Sequence, residues 1–556
     1  MVRVVRRWFS GSLAALRAAL ARPELRRVQL AWTGSTSGES ISTIALGLYA
    51  YEAGGATAVG VVALVQMVPS MLFSPVAGVL GDRLRRERVV IGTDIVRTVT
   101  MALAAVAAAS DAPVAVIYAL AAVLAIGSQA FYPAQTALVP LLARSANDVI
   151  AASAASSMIR STTGLAAPAV SGVVLLVADV PVVFALAAAA FALGAGTLLG
   201  IGRTDSVRSA PAMAGAVHEV ASGFRVAARD RGIALVLGLF AAHGIARGAL
   251  GVLLVVVPLE LLRTGEAGVG FLNAAAGVGG FAGAVATAGL VGRRTLAGPM
   301  AAGLAATGAA VVLAGAVRWA AVVVACIAGV GAGFAVVSGV GSTLLVRLSR
   351  GDVLSRVLGV LGTVRSASMA SGSVLAPVLV AAGGPRLALT ATGAILVATA
   401  ATARAGVRAL DKRSEVPEYE LRLLQASPVF APLLPLALER LAARLEPMVI
   451  PAGAEVVRQG DPGDSVYLVA EGGFAVEVNG RVLAHRGPCE LVGEMALLQN
   501  APRNATVRAV QESRVYRLER SEFLAAVTGH PVSSRQASDL VAARLGQLRR
   551  NVLDER

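Results

Sequence analysis

Charge is scarce in this chain. Only 15% of its 556 residues are Asp, Glu, Lys or Arg, against about 25% in ordinary soluble domains. With a mean hydropathy of +0.72, this excludes a mainly soluble enzyme. Lysine is almost absent: Lys412 is the single one, which removes lysine-based catalysis and the Gly-rich lysine loop that cradles nucleotide phosphates. Two cysteines, Cys326 and Cys489, stand far apart and form neither a disulfide framework nor a thiolate cluster. The four histidines (His218, His243, His485 and His530) show no ligand spacing, so no metal site is expected. No nucleophile has a base nearby in sequence, and no enzyme activity is expected. The Arg-rich start (Arg3, Arg6, Arg7) lacks a following cleavage pattern and is read as retained.

Long apolar runs are what the chain has instead. Residues 57–81, 112–143, 180–202, 267–292, 295–317 and 319–346 hold no charge. Segments 28–50, 89–110, 148–177, 232–262, 353–383 and 386–407 hold isolated ionisable groups. At about 20 apolar residues per crossing, these make twelve transmembrane helices. The formal charge of +15 divides unevenly: residues 1–413 carry 33 basic and 16 acidic side chains (33 − 16 = +17), residues 414–556 carry 16 and 18 (16 − 18 = −2). Arginine gathers in the first 27 residues, in 83–88 and in 203–231, which places both termini in the cytoplasm and the bundle in the inner membrane. A basic excess spread over inner loops argues against a nucleic-acid partner.

The bundle also repeats. "TALVPLLARSANDVIAASAASSMIR" (136–160) returns as "TLLVRLSRGDVLSRVLGVLGTVR" (343–365), with Asp148 and Asp352 separated by 352 − 148 = 204 positions. The expected organisation is a cytoplasmic segment 1–27, a six-helix half 28–202, a connector 203–231, a second six-helix half 232–408, a linker 409–420 and a tail domain 421–556. Two such halves place a small-molecule site between them near the bilayer midplane.

Ionisable residues inside spans are costly and functional by default. Glu39 lies about eleven residues into the first span, near the midplane at about 1.5 Å per residue. His243 lies 243 − 39 = 204 positions later, so the two are predicted to face one cavity as proton-coupling candidates. Arg247, one turn from His243, and Arg160 and Arg365 are further cavity candidates. The alternative for Glu39 is a permanent structural pair with an arginine. Asp94 and Arg97, three apart, are read as structural.

Residues 78–89, "GVLGDRLRRERV", resemble the signature loop of the major facilitator superfamily, with "DIVR" (94–97) and "FYPAQTALVP" (131–140) extending the likeness to its enterobactin and multidrug exporters. "GLAAPAVSG" (164–172) is similar to the antiporter signature, with Ala167 where that signature has glycine. The resemblance implies a secondary active transporter with a cytoplasmic latch at Gly78, Asp82, Arg83 and Arg86. The expected mode is proton-coupled export of small organic molecules.

The tail reads differently. A helical stretch precedes short alternating runs such as Val466, Leu468 and Val476, Val478, bounded by turn residues, and helix returns after Glu522: an α+β β-roll flanked by helices. Over about 425–550 it resembles the cyclic nucleotide-binding domain, and "GEMALLQNAPRNATV" (493–507) looks like that family's phosphate-binding cassette. The likeness implies that Arg503 forks onto the cyclic phosphate, with Asn504 and Ala505 donating from the backbone. It further implies that Glu494 accepts from the ribose, that Gly493 admits the close approach, and that a last helix near Leu540 to Leu548 closes over the base. No cofactor is expected beyond this regulatory ligand, cAMP being favoured with cGMP as the alternative. A membrane-tethered nucleotide receptor that no longer transports is the competing function.

Overall fold

The computed structural model describes residues 20–83, 85–143, 146–200, 223–225, 227–290, 295–349, 353–413, 418–433, 435–528, 533 and 535–544. The chain forms two compact units, 1–414 and 415–556.

The first unit is helical throughout. Its elements are α1 (Pro23–Arg83), α2 (Arg86–Ala109), α3 (Val114–Ser128), α4 (Phe131–Leu142), α5 (Ala146–Val174) and α6 (Val180–Leu198). They are followed by α7 (Arg231–Val256), α8 (Gly265–Leu290), α9 (Ala297–Ala316), α10 (Ala320–Leu348), α11 (Leu354–Thr402) and α12 (Arg404–Arg413). Among the described residues, nine helical stretches are long and apolar enough to cross a membrane. Two of these stretches each hold two of the twelve expected spans, and α5, over the expected span 148–177, is not among the nine. α1 and α11 each join two expected spans, interrupted only where Gly54–Gly55 and Gly383–Gly384 leave helical geometry. Gly55 and Gly384 adopt φ of 61° and 75°, a left-handed conformation that glycine takes at little cost. Asp230 caps α7 by accepting from Gly232 N and Ile233 N, as an N-cap aspartate should. Asp411 does the same for α9 from the far end of the unit, its two oxygens accepting from Ala297 N and Gly298 N.

α2 shows how these helices divide lipid from protein. Val90, Asp94, Arg97, Met101, Ala104 and Ala108 are buried, while Ile95, Val96, Val99, Leu103 and Val106 are exposed. The inner face follows the 3–4 spacing of a helix stripe, and the outer face from Ile95 to Val106 is aliphatic, as a bilayer requires. Asp94 and Arg97 form an inward ion pair at 3.4 Å. Ser35 Oγ donates to Asp94 at 2.6 Å, Arg97 Nε donates to Ser128 Oγ at 3.0 Å, and the Arg97 guanidinium lies 4.5 Å from the Phe131 ring centre. Every polar atom of this kind needs a partner away from water, so the group fastens α1, α2 and α3 together.

The two halves, α1–α6 and α7–α11, meet along α5 with α8 and along α1 with α11. Bare backbone makes the first contact possible. A Cβ on Gly270 would sit 2.4 Å from Gly172 Cα, and one on Gly277 would sit 2.4 Å from Gly164 O. Small residues give transmembrane helices this close approach, and Gly164 and Gly172 are the two ends of the "GLAAPAVSG" segment.

In the second unit, α13 (Glu418–Ala426) and α14 (Pro435–Ala442) precede eight strands, β1 (Glu446–Ile450), β2 (Glu455–Val457), β3 (Ser465–Glu471), β4 (Phe474–Val478), β5 (Arg481–Arg486), β6 (Leu491–Val492), β7 (Thr506–Ala509) and β8 (Ser513–Glu519). Two antiparallel sheets result, ordered β1-β8-β3-β6 and β2-β7-β4-β5. α15 (Glu494–Gln499) lies between β6 and β7, and α16 (Arg520–Thr528) follows β8. A final helix runs through 535–544. β3 is covered on both faces: Val466, Leu468 and Ala470 pack with Phe430, Leu441 and Phe523 of the helices, whereas Val469 packs with Phe474, Val492 and Val507 inside the roll. Alternation in β3 therefore sorts residues between two apolar cores, not between core and water.

Candidate functional site

In the tail, β6 ends at Val492 and the chain turns sharply. Gly493 has φ of 84°, α15 runs for six residues, and Asn500 leaves it at φ of 51°. This turn sets the α15 backbone against a pocket whose walls include Gly493, Glu494, Arg503, Asn504, Ala505 and Arg544. The five residues expected to form the cassette are therefore brought together.

Arg503 is buried and oriented. Its Nη1 donates to Gly493 O at 2.7 Å, its Nη2 donates to Ser465 O at 2.7 Å, and Asp464 lies at 3.4 Å. A guanidinium has five N–H donors, so two remain for a ligand even if Asp464 takes one. Burial pulls the Arg503 guanidinium below its ordinary value, and Tyr467, Asp464 and Glu494 oppose that pull. Ser465, with Arg517 and Arg503 assisting, holds the Asp464 carboxyl below its usual range. Gly493 is required twice over: a Cβ there would meet Arg503 Nη1 at 2.4 Å, in addition to the left-handed φ.

Glu494 is buried at 2% exposure, and Arg544 Nη1 donates to its Oε1 at 2.5 Å and to Leu491 O at 2.8 Å. Arg544 is the functional residue that the sequence reading missed. A signal existed: Ala537, Val541 and Arg544 are all buried and fall at helical spacing, so a charge sits on the apolar stripe of the final helix and must have a partner. Of the expected lid, 540–544 is described and 545–548 lies outside the described residues. Arg544→Ala leaves Glu494 buried without its counter-charge, a loss of about 3–5 kcal/mol for such pairs. Hydrogen exchange of the 491–505 amides in the full chain should then accelerate by more than about 100-fold. Unchanged exchange would make the pair incidental.

In the bundle, Glu39 on α1 lines a cavity of about 1440 Å³ shared by Ser42, Gln66, Gln129, Thr363 and Ser366. Tyr132 donates its hydroxyl to Glu39 Oε2. The Arg160 guanidinium lies over the rings of Trp32 and Tyr132, at 4.8 and 5.0 Å. Glu39 therefore has a hydrogen-bonded tyrosine as its direct partner, and among the described residues it forms no salt bridge with an arginine. A second cavity of about 760 Å³, sharing Thr43, Gln66, Met67 and Met369 with the first, is lined by Arg247.

His243 requires a correction. It is 2% exposed, edge-on to Phe334 and Phe240, with Nε2 3.3 Å from Ser338 Oγ, and it lines neither cavity. The offset of 204 positions found its level along the helix but not the direction of its side chain. Arg247, one turn further on, holds the cavity-facing place. Arg365 on α11 is exposed, and its carbonyl oxygen lies 3.4 Å from where a Cβ on Gly244 of α7 would sit.

Of the latch residues, Arg86 Nη1 donates to Ala137 O at 2.9 Å, tying the start of α2 to α4. Gly78, Asp82 and Arg83 fall in the last turns of α1, and their side chains lie outside the described residues. Residues 203–222 of the connector and Asp352 also lie outside them. Among the described residues no cluster of His, Cys, Asp and Glu could hold a metal ion.

Comparison with known proteins agrees with this division. The family model of the Major Facilitator Superfamily matches residues 31–338, and that of the cyclic nucleotide-binding domain matches residues 447–530. Over 127 residues the chain is 34% identical to the cyclic AMP receptor protein of Thermus thermophilus, covering 22% of this chain and 59% of that protein. Over 110 residues it is 37% identical to the Pycsar effector protein XpPycTIR of Xanthomonas perforans, covering 20% and 36%. The regulatory domain of Toxoplasma gondii PKA in co-crystal with cAMP is similar at 34% identity, with a TM-score of 0.19, over 20% of this chain and 43% of that one. The chain thus spans less than two thirds of each of these relatives.

Proposed function

The chain belongs to the Major Facilitator Superfamily and carries a cyclic nucleotide-binding domain after its helical unit, and from this we propose a secondary active transporter whose cycle is set by cAMP. The observation that carries the transport reading is the polar cavity between the halves, with Glu39 on its wall and its hydroxyl-bearing neighbours around it. A carboxyl group that faces water inside a membrane bundle can take up and release a proton as access alternates. This supports proton coupling at Glu39, with Tyr132 and Arg160 holding the carboxylate in place. The "DIVR" and "FYPAQTALVP" segments support the enterobactin and multidrug branch and hence export of small organic molecules.

Twelve crossings follow if α1 and α11 each pass twice, turning at their glycine pairs, and α5, which is not among the nine apolar stretches, crosses as well. Arginine distribution favours cytoplasmic termini and the inner membrane. The latch reading rests on Gly78, Asp82, Arg83 and Arg86 as a sequence pattern. Neither family is one of enzymes.

For the tail, support comes from the spare donors of Arg503 beside the buried Glu494. The cAMP preference draws on likeness to the cyclic AMP receptor protein; cGMP is the alternative ligand. Nucleotide can control transport only by binding two states of the molecule unequally. The test is transport by proteoliposomes with and without saturating cAMP on the tail side. Coupling of ordinary size would alter state occupancy about 5- to 150-fold, and the rate should follow. Identical rates in both conditions would leave a transporter without this control.

A further inference from the structure

We infer that the cavity takes an amphipathic organic anion, its acid group held by Arg247 and Arg365. The inference rests on the transporter reading and adds a substrate class to it.

The argument begins with charge balance. The cavity walls bring together one carboxylate, Glu39, and it is already engaged by the Tyr132 hydroxyl with Arg160 over the same ring. Asp94, deep in its span, is fully buried and committed to Arg97, while Asp148 and Glu260 at span ends are engaged by Arg22 and Tyr51. On the opposite half, Arg247 and Arg365 have neither a carboxylate nor a hydrogen-bond partner among the described residues; Arg247 has only the Phe334 ring, 6.0 Å from its guanidinium. Their backbones are neighbours, for a Cβ on Gly244, three residues before Arg247, would sit 3.4 Å from Arg365 O.

Arginine cannot shed its proton, and an unpaired charge at bilayer depth is expensive. Arg247 lies 247 − 231 = 16 residues into α7, far from either end of that 26-residue helix and its short π-helical extension. Snorkelling to the surface is therefore closed to it. A transient anionic ligand is the partner that balances the pair, and a guanidinium fork matches the planar oxygens of a carboxylate or the oxygens of a sulfonate or phosphate.

The rest of the wall describes the remainder of the ligand. Around Arg247 stand Ile44, Leu46, Val59, Val62, Val252 and Val255, an aliphatic surface suited to an apolar body. Gln66, which both cavities share, and Asn273 offer neutral polar contacts near it. An inorganic anion would leave that aliphatic wall unused.

The test uses the full chain in nanodiscs, with empty nanodiscs subtracted, and two probes that share one fluorophore. Dansylglycine carries a carboxylate and dansylcadaverine an ammonium. Dansylglycine should bind the tighter of the two. Arg247→Gln and Arg365→Gln should each weaken it by about tenfold or more, as loss of a hydrogen bond to a charged group does, and Arg247→Lys should restore part of the loss. Should Arg247→Gln fail to elute as a single species, Arg365→Gln carries the measurement. Equal affinity for the probes, tighter binding of dansylcadaverine, no binding of dansylglycine, or indifference to both glutamine changes would each overturn the anion site. Movement of the same probes under a pH gradient in proteoliposomes separates this from the parent reading. Binding of dansylglycine without movement of either probe would sink transport and leave the site. Movement of the cation in preference to the anion would sink the site and leave transport.

Discussion

Replacing Arg503 with alanine is expected to abolish nucleotide binding by the tail. This side chain spans the cassette, donating to the carbonyls of Gly493 and Ser465. A guanidinium has five N–H donors, so others remain for a phosphate. Truncation leaves the phosphate in a pocket without its charge partner, a loss of about 2–5 kcal/mol, or roughly 30-fold to several thousandfold in affinity at tenfold per 1.4 kcal/mol. Arg503→Lys separates charge from geometry: an ammonium keeps the charge but cannot form the planar fork, so intermediate affinity is expected. Calorimetry with cAMP and cGMP on the solubilised full chain measures all three proteins. If the unmodified chain binds neither nucleotide, the regulatory reading ends there.

The second large effect concerns Glu39. Glutamine in its place keeps an oxygen for the Tyr132 hydroxyl and nearly the same volume, but it cannot carry a proton. Glu39→Gln should therefore retain substrate exchange across vesicles at equal pH on both sides while losing accumulation driven by a pH gradient down to the level of empty vesicles. The neighbouring aromatic cluster makes this a clean change, because Trp32, Tyr132 and Arg160 hold one another by ring contacts that do not involve the lost charge. Undiminished accumulation by the variant would remove Glu39 from the coupling step.

Much of this was legible in the sequence where a physical rule acts locally. The cassette is a contiguous stretch whose glycine, glutamate and arginine are each required by chemistry within a few residues of one another. Hydrophobic length alone points to the nine helical stretches that are long and apolar enough to cross a membrane among the described residues. What escaped was information that depends on direction or on distant partners. α1 and α11 do break where the sequence expects a boundary, at Gly54–Gly55 between 28–50 and 57–81 and at Gly383–Gly384 ahead of 386–407, but a glycine pair turns the chain within two residues and leaves no polar loop there. His243 and Arg247 differ by four positions in one helix, yet one packs between phenylalanines and the other faces a cavity; an offset between repeats cannot supply that azimuth. Arg544 meets Glu494 across 50 residues, and no local pattern names such a partner.

The Arg544–Glu494 pair also bears on time. The final helix places a buried side chain in the wall of the pocket, so on the regulatory reading proposed above exchange of ligand would wait on the breaking of a buried ion pair and not on diffusion alone. Slow exchange would make the tail a low-pass filter, reporting nucleotide averaged over its own residence time and ignoring briefer fluctuations. A transporter governed in this way would answer to a sustained rise in messenger and disregard a pulse, with the memory of the system set by one arginine.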